Sequence, residues 1–160
     1  CHCPAAKAAA YATGREAVKD YLVLRVIAKL MIAFMLLFAL YVQFHGELGP
    51  GGGFQAGVIA AASIVFYAII YGLPAARAAV PDRIVEIMIA LGVLIFAGTG
   101  VAGLVLGGNY LDYFVLGHDR VHGQHRGIFW VELGVLVSVA GVMLKIFYLF
   151  ADRAHEDDSP

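Results

Sequence analysis

One carboxylate, Glu132, is the only charged residue between Gly127 and Leu144. An ionisable side chain inside a long apolar run costs free energy unless it is paired or wetted, and it is a functional candidate by default. A carboxylate oxygen suits a proton or a hard cation such as Na+. The bland reading is a structural hydrogen bond to a neighbour. Lys145 follows 13 residues later, about 20 Å along a helix, so the two cannot pair within one helix. Lys145 is expected to snorkel to an interface, with a buried charge pair as the alternative. Lys29 is a second anchor of this kind if its helix begins near Ile27, and a buried charge if it begins near Tyr21. Arg83 and Glu86 are spaced to pair on one helical face.

His45 and Glu47 stand just before Pro50-Gly51-Gly52-Gly53-Phe54. Proline lacks a donor, and glycine imposes no preferred conformation. The segment is therefore expected to leave backbone groups outside any helix. It reads either as a tight turn between antiparallel helices or as backbone that lines an ion path or docks a partner subunit. Together with Glu132, residues Lys29, His45, Glu47 and Lys145 are the ion-path candidates. His118, His122 and His125, spaced four and three apart, could share a helical face near Asp112 and Asp119. No second ligand motif accompanies them, so no metal is assigned, and a solvated loop or a proton relay is the simpler reading. Cys1-His2-Cys3 is too short to close a tetrahedral site and lacks a haem-attachment spacing. No cofactor is expected.

The elements holding these residues follow from composition. Of 160 residues, 61% are hydrophobic and only 14% charged, with a mean hydropathy of +0.82. Average soluble domains are near 45–50% apolar and about 25% charged. A soluble globular domain and a disordered chain are both excluded, and a net charge of −1 gives no basic footprint for nucleic acid. Charged residues act as punctuation. None lies between Lys29 and Glu47, from Leu48 to Ala76, or from Ile87 to Leu111. Spans of about 20 apolar residues cross a bilayer as helices. The expected architecture is all-α, an integral membrane protein with four transmembrane helices at 21–45, 54–73, 84–107 and 126–150. A polar segment, 1–20, precedes this 21–150 membrane domain, and an acidic tail, 151–160, follows it. Membrane strands would alternate apolar and polar residues, which MIAFMLLFALYVQF does not.

Basic residues set the expected orientation. Lys7, Arg15, Lys19, Arg25, Arg77, Arg83, Lys145 and Arg153 fall on one side, against Arg120 and Arg126 on the other. Both termini are thus expected in the cytoplasm. The first apolar run is too long for the core of a cleavable signal. Small residues in the second and third helices favour close helix packing, within the chain or against others. There is no P-loop, GxSxG or HExxH, and no inverted repeat of the transporter kind. The economical inference is an accessory subunit of a larger membrane assembly.

The stretch HGELGPGGGFQAGVIAAASIVFYAI resembles the MnhB-type subunit of the multisubunit Na+/H+ antiporters known as Mrp or Mnh, and related subunits of membrane-bound hydrogenases. The resemblance covers about residues 25–150. It rests on Pro50 to Gln55 with Gly57, on Gly107-Gly108-Asn109-Tyr110-Leu111, and on Glu132 with Gly134 and Val135. Ala56 stands where many members have glycine, and the first 20 residues match no pattern of the family. The resemblance implies a subunit of a hetero-oligomeric secondary antiporter in a bacterial or archaeal cell membrane. Its partners would be the other subunits, the lipid bilayer, H+, and Na+ or another monovalent cation. Large subunits resembling the proton pumps of respiratory complex I would carry the main ion paths, and no cofactor is implied. The equivalent subunit of a redox-driven membrane complex and a purely structural scaffold stay open.

Overall fold

Without water to satisfy them, backbone amides and carbonyls inside a bilayer must bond within their own segment, and these apolar runs do so as helices. The computed structural model describes residues 4–46, 51–111, 113 and 120–157, with side chains for 23–46, 51–111, 113 and 123–153. Among the described residues five α-helices follow in order: α1 (Pro4–His45), α2 (Gly53–Tyr71), α3 (Leu73–Ala79), α4 (Asp82–Val105) and α5 (Arg120–Asp157). Four of them contain segments long and apolar enough to cross a membrane: Val23–His45, Gly53–Tyr71, Asp82–Val105 and Gly123–Arg153.

The expected helices are all present, with different ends. The polar N-terminal segment is helical from Pro4 and continuous with the first span. Its alanine-rich composition favours that state. α5 likewise takes in part of the third connection and part of the tail. The second connection, expected as a loop, contains α3. Gly72, at φ 92°, breaks the chain between α2 and α3 in a conformation that side-chain-bearing residues avoid. Pro74 then sits in the first turn of α3, where its missing N–H costs nothing. Pro81, at φ −66° and ψ 153°, precedes α4, and Asp82 occupies the first turn, a carboxylate at the positive end of the helix dipole.

α1 packs on α2, α2 on α5, and α5 on α4. The spans therefore stand in a row, α1–α2–α5–α4, with α5 interior and α1 and α4 at the edges. Small residues make the contacts. Ala28, Ala39, Ala56, Ala61, Ala68 and Ala140 are buried, while large side chains such as Phe34, Leu37, Leu94 and Phe150 point outward. This is the inverse of a soluble protein and the pattern expected where lipid and partner helices supply the surroundings. At the α4–α5 crossing the two main chains touch. A Cβ added to Gly134 would lie 2.8 Å from the Gly92 carbonyl oxygen, and one added to Gly92 would lie 2.6 Å from that of Gly134.

The end bearing the chain termini is held by polar contacts. Tyr148, 1% exposed, donates its hydroxyl to the Val80 carbonyl at 3.0 Å, and the Ala76 carbonyl lies 3.4 Å away. The Arg77 guanidinium lies over the Tyr148 ring, 5.4 Å from its centroid, and donates to both Asp152 carboxylate oxygens at 2.6 and 2.7 Å. These bonds hold the Arg77 pKa above its ordinary value. Lys145 Nζ donates to Glu86 Oε1 at 2.8 Å, and Asp82 is 4.0 Å away. Glu86 thus pairs across helices with Lys145, not within α4 with Arg83 as spacing alone implied, because the α4–α5 packing brings Lys145 alongside. Both partners are substantially exposed, and exposed pairs contribute little. Lys145→Met is therefore expected to leave the yield and melting temperature of the detergent-solubilised chain unchanged within error. A collapse in yield would show that the pair lies in the hydrocarbon.

Candidate functional site

The opposite end is shaped by the glycine turn. α1 stops at His45, and α2 begins at Gly53. Between them Gly52 takes φ 121° and ψ 172°, a region open essentially only to glycine. Its N–H reaches back to the Val42 carbonyl of α1 at 3.4 Å, and its carbonyl accepts from Ala56 N–H at 3.1 Å. Gly51 lies against α1, where an added Cβ would sit 2.8 Å from the Val42 carbonyl oxygen. The turn is thereby fixed on the outgoing helix.

The same turn meets Glu132. A Cβ on Gly52 would lie 3.3 Å from Glu132 Oε1, and one on Gly53 would run into the Glu132 main-chain carbonyl. One turn further along, Gly57 faces the Leu136 carbonyl and Val139 of α5 in the same way. The three glycines let the start of α2 lie directly on the backbone of α5 and bring the turn to the carboxylate. Because α5 begins at Arg120, Glu132 is roughly three turns into the helix, farther from its start than the expected span beginning at 126 implied.

Beside this contact is a cavity of about 240 Å³, lined by Gln43 and Phe44 of α1 and by His125, Arg126, Phe129, Trp130 and Glu132 of α5. Phe44 and Phe129 stack across it, with ring centroids 5.9 Å apart. Spacings of four and three place His125, Phe129 and Glu132 on one face of α5. Gln43 is only 3% exposed, and neither its amide oxygen nor its amide nitrogen has a hydrogen-bond partner among the described residues.

The structure sorts the sequence candidates. Gly51, Gly52, Gly53 and Glu132 come together. Phe54 is exposed at the start of α2. His45 is exposed and stacks on Tyr41 at 5.0 Å rather than lining the cavity. Lys29 is exposed on α1, about 20 Å along the helix from Gln43. Lys145 belongs to the ion pairs at the other end. Glu47 and Pro50 lie outside the described residues, as do Asp112, His118, Asp119 and the side chain of His122. Gln43 and Arg126 were not singled out by residue type. The available signal was an amide in a run otherwise apolar from Leu30 to Phe44.

These features define a multi-pass membrane protein with a polar site set among its apolar helices. Residues 23–145 match the family model described as a domain related to the MnhB subunit of Na+/H+ antiporter. The chain is 33% identical over 139 residues to the B subunit of the Na(+)/H(+) antiporter of Bacillus subtilis, covering 82% of this chain and 94% of that one. It is 29% identical over 132 residues to the B subunit of the Na(+)/H(+) antiporter of Alkalihalophilus pseudofirmus, covering 81% and 91%. The chain belongs to the MnhB family, which is named for a subunit of a Na+/H+ antiporter.

Proposed function

We propose that this chain is an accessory subunit of a hetero-oligomeric monovalent cation/proton antiporter, and that Glu132 and the Gly51–Gly53 backbone form part of an ion route at subunit contacts. The observation that carries the second half is the approach of the Glu132 carboxylate to Gly52, which is held at a glycine-only φ. A carboxylate beside non-helical backbone offers oxygen and amide groups where a span would otherwise be apolar, the arrangement that broken helices provide in transporters. Membership of the MnhB family and the names of its relatives support the antiporter assignment. In this reading the termini face the cytoplasm of a bacterial or archaeal cell, the partners are the other antiporter subunits, and the transported ions are H+ and Na+ or a similar cation.

Glu132→Gln tests it. The substitution keeps size and hydrogen-bonding capacity and removes the charge. Native gels of the whole complex are expected to show normal assembly, while Na+-driven proton movement in inverted vesicles falls to background and Na+ resistance is lost. Full transport by the assembled variant would rule the route out and leave a scaffold. That second reading has its own observation, the direct seating of Gly53 and Gly57 on the α5 main chain.

A further inference from the structure

Among the described residues, two amides at the turn end have buried atoms without a hydrogen-bond partner, the Gln124 oxygen and both polar atoms of Gln43, and of the two Gln43 lines a cavity. Its side chain carries a donor and an acceptor, it is 3% exposed, and it meets no partner among the described residues. Buried amides in folded proteins are almost always paired with protein or with water. Gln43 borders the cavity of about 240 Å³ that also reaches His125, Arg126 and Glu132. A water molecule occupies about 30 Å³ in the liquid and is held by two to four polar partners. The cavity has both the room and the polar lining for several.

We propose that this cavity is a water-filled entry for protons, in which Gln43 orders the water that connects Glu132 to the mouth beside His125. The inference rests on the ion-route reading of Glu132 and names the ion that uses this part of it. Two features of the lining choose the proton over the alkali cation. Among the described residues, the side-chain oxygens lining the cavity come from Gln43 and Glu132, a thin shell for a hard cation stripped of its water. His125 contributes ring nitrogens, not the oxygens that a hard alkali cation prefers. An amide that both donates and accepts can hold a water in the orientation a proton chain requires. Each passage moves one proton from a cavity water to the carboxylate and on from the carboxyl group into the assembly, while a proton from the outer solution converts the hydroxide left behind back to water, so no bond in the lining changes over a cycle.

Among the described residues, the charged and titratable groups around Gln43 are few. α5 presents His125, Arg126 and Glu132. α1 carries His45, stacked on Tyr41 two residues beyond. The first turn of α2, Gly53 to Ala56, contributes none.

Gln43→Met removes both polar atoms with little change in length and with a flexible, unbranched replacement. The assembled complex carrying it, in inverted vesicles, is expected to lose at least about tenfold in maximal rate while its KM for Na+ stays within about twofold. Gln43→Asn, which keeps an amide within reach of water, is expected to recover most of the rate. A tenfold or larger rise in KM for Na+ at unchanged maximal rate would make Gln43 a cation ligand and overturn the proposal. So would unchanged transport with an unchanged pH profile. A Gln43→Met complex that fails to assemble would make the amide a structural group and overturn it as well. Glu132→Gln is measured alongside. If that variant transports normally, the ion-route reading itself fails. If it is inactive while Gln43→Met is unaffected, only the present inference fails.

Discussion

Leucine at position 53 is expected to leave little or no folded chain in the membrane. The α carbon of Gly53 faces the Glu132 main-chain carbonyl at a separation that cannot hold a methyl group, far less an isobutyl one. Overpacking costs about 1–3 kcal/mol where side chains can move aside. Here the obstructing atoms are the backbone of α5 itself, locked by its own hydrogen bonds. Relief requires lifting the start of α2 away from α5, which also undoes the Gly57 contact with Leu136 and Val139 one turn along. The expected loss exceeds about 3 kcal/mol, a large part of a typical folding free energy. Protease resistance of the chain expressed alone, and its recovery in the complex on native gels, both read this out. Wild-type recovery of the Gly53→Leu chain would mean that α2 and α5 do not meet this closely. The substitution is damaging whether the turn guides ions or only packs, so its place is beside Glu132→Gln, which separates those readings.

The second large effect is expected at the other end, from Tyr148→Ala. This side chain is the bulkiest of the fully buried set, and Leu144 and Val85 pack in the same core cluster. It fills the angle between α5 and the α3–α4 connection, donates its hydroxyl to Val80, and supports the Arg77 guanidinium over its ring. Truncating a buried aromatic to alanine costs about 3–5 kcal/mol through lost contacts and the void left behind. Thermal unfolding of the detergent-purified subunit is expected to show a large drop in midpoint. Tyr148→Phe keeps the ring and loses the hydrogen bond, about 1 kcal/mol. The two variants together separate packing from polar anchoring. Equal effects would assign the stability to the hydroxyl.

The four spans were legible in the sequence because charged residues are so rare that their positions mark the helix ends. α3 was not, because seven alanine-rich residues next to prolines look the same whether they coil or form two helical turns. The pairing of Glu86 with Lys145, 59 residues apart, depends on α4 lying beside α5. No local spacing encodes that, so the nearer Arg83 looked like the partner. The site was half legible. Glu132 and the glycines stood out by type and fell on the same side of the bilayer, but their contact depends on how α2 crosses α5. Gln43 was visible as a lone amide in an apolar run. What makes it unusual, burial without a partner, is a property of packing and has no signature in residue order.

The spatial order α1–α2–α5–α4 has a mechanical meaning for the assembly. An open row of helices, even one in which α1 touches α5 at the turn end, acts as a partition with two broad faces, not as a ring around a central space. Closed bundles can enclose a passage, but a partition can only bound one, so any continuous conduit along this chain must borrow its remaining walls from neighbouring subunits. The cavity beside Gln43 is then an alcove in one wall, and whether it communicates with the far side is decided by what stands opposite.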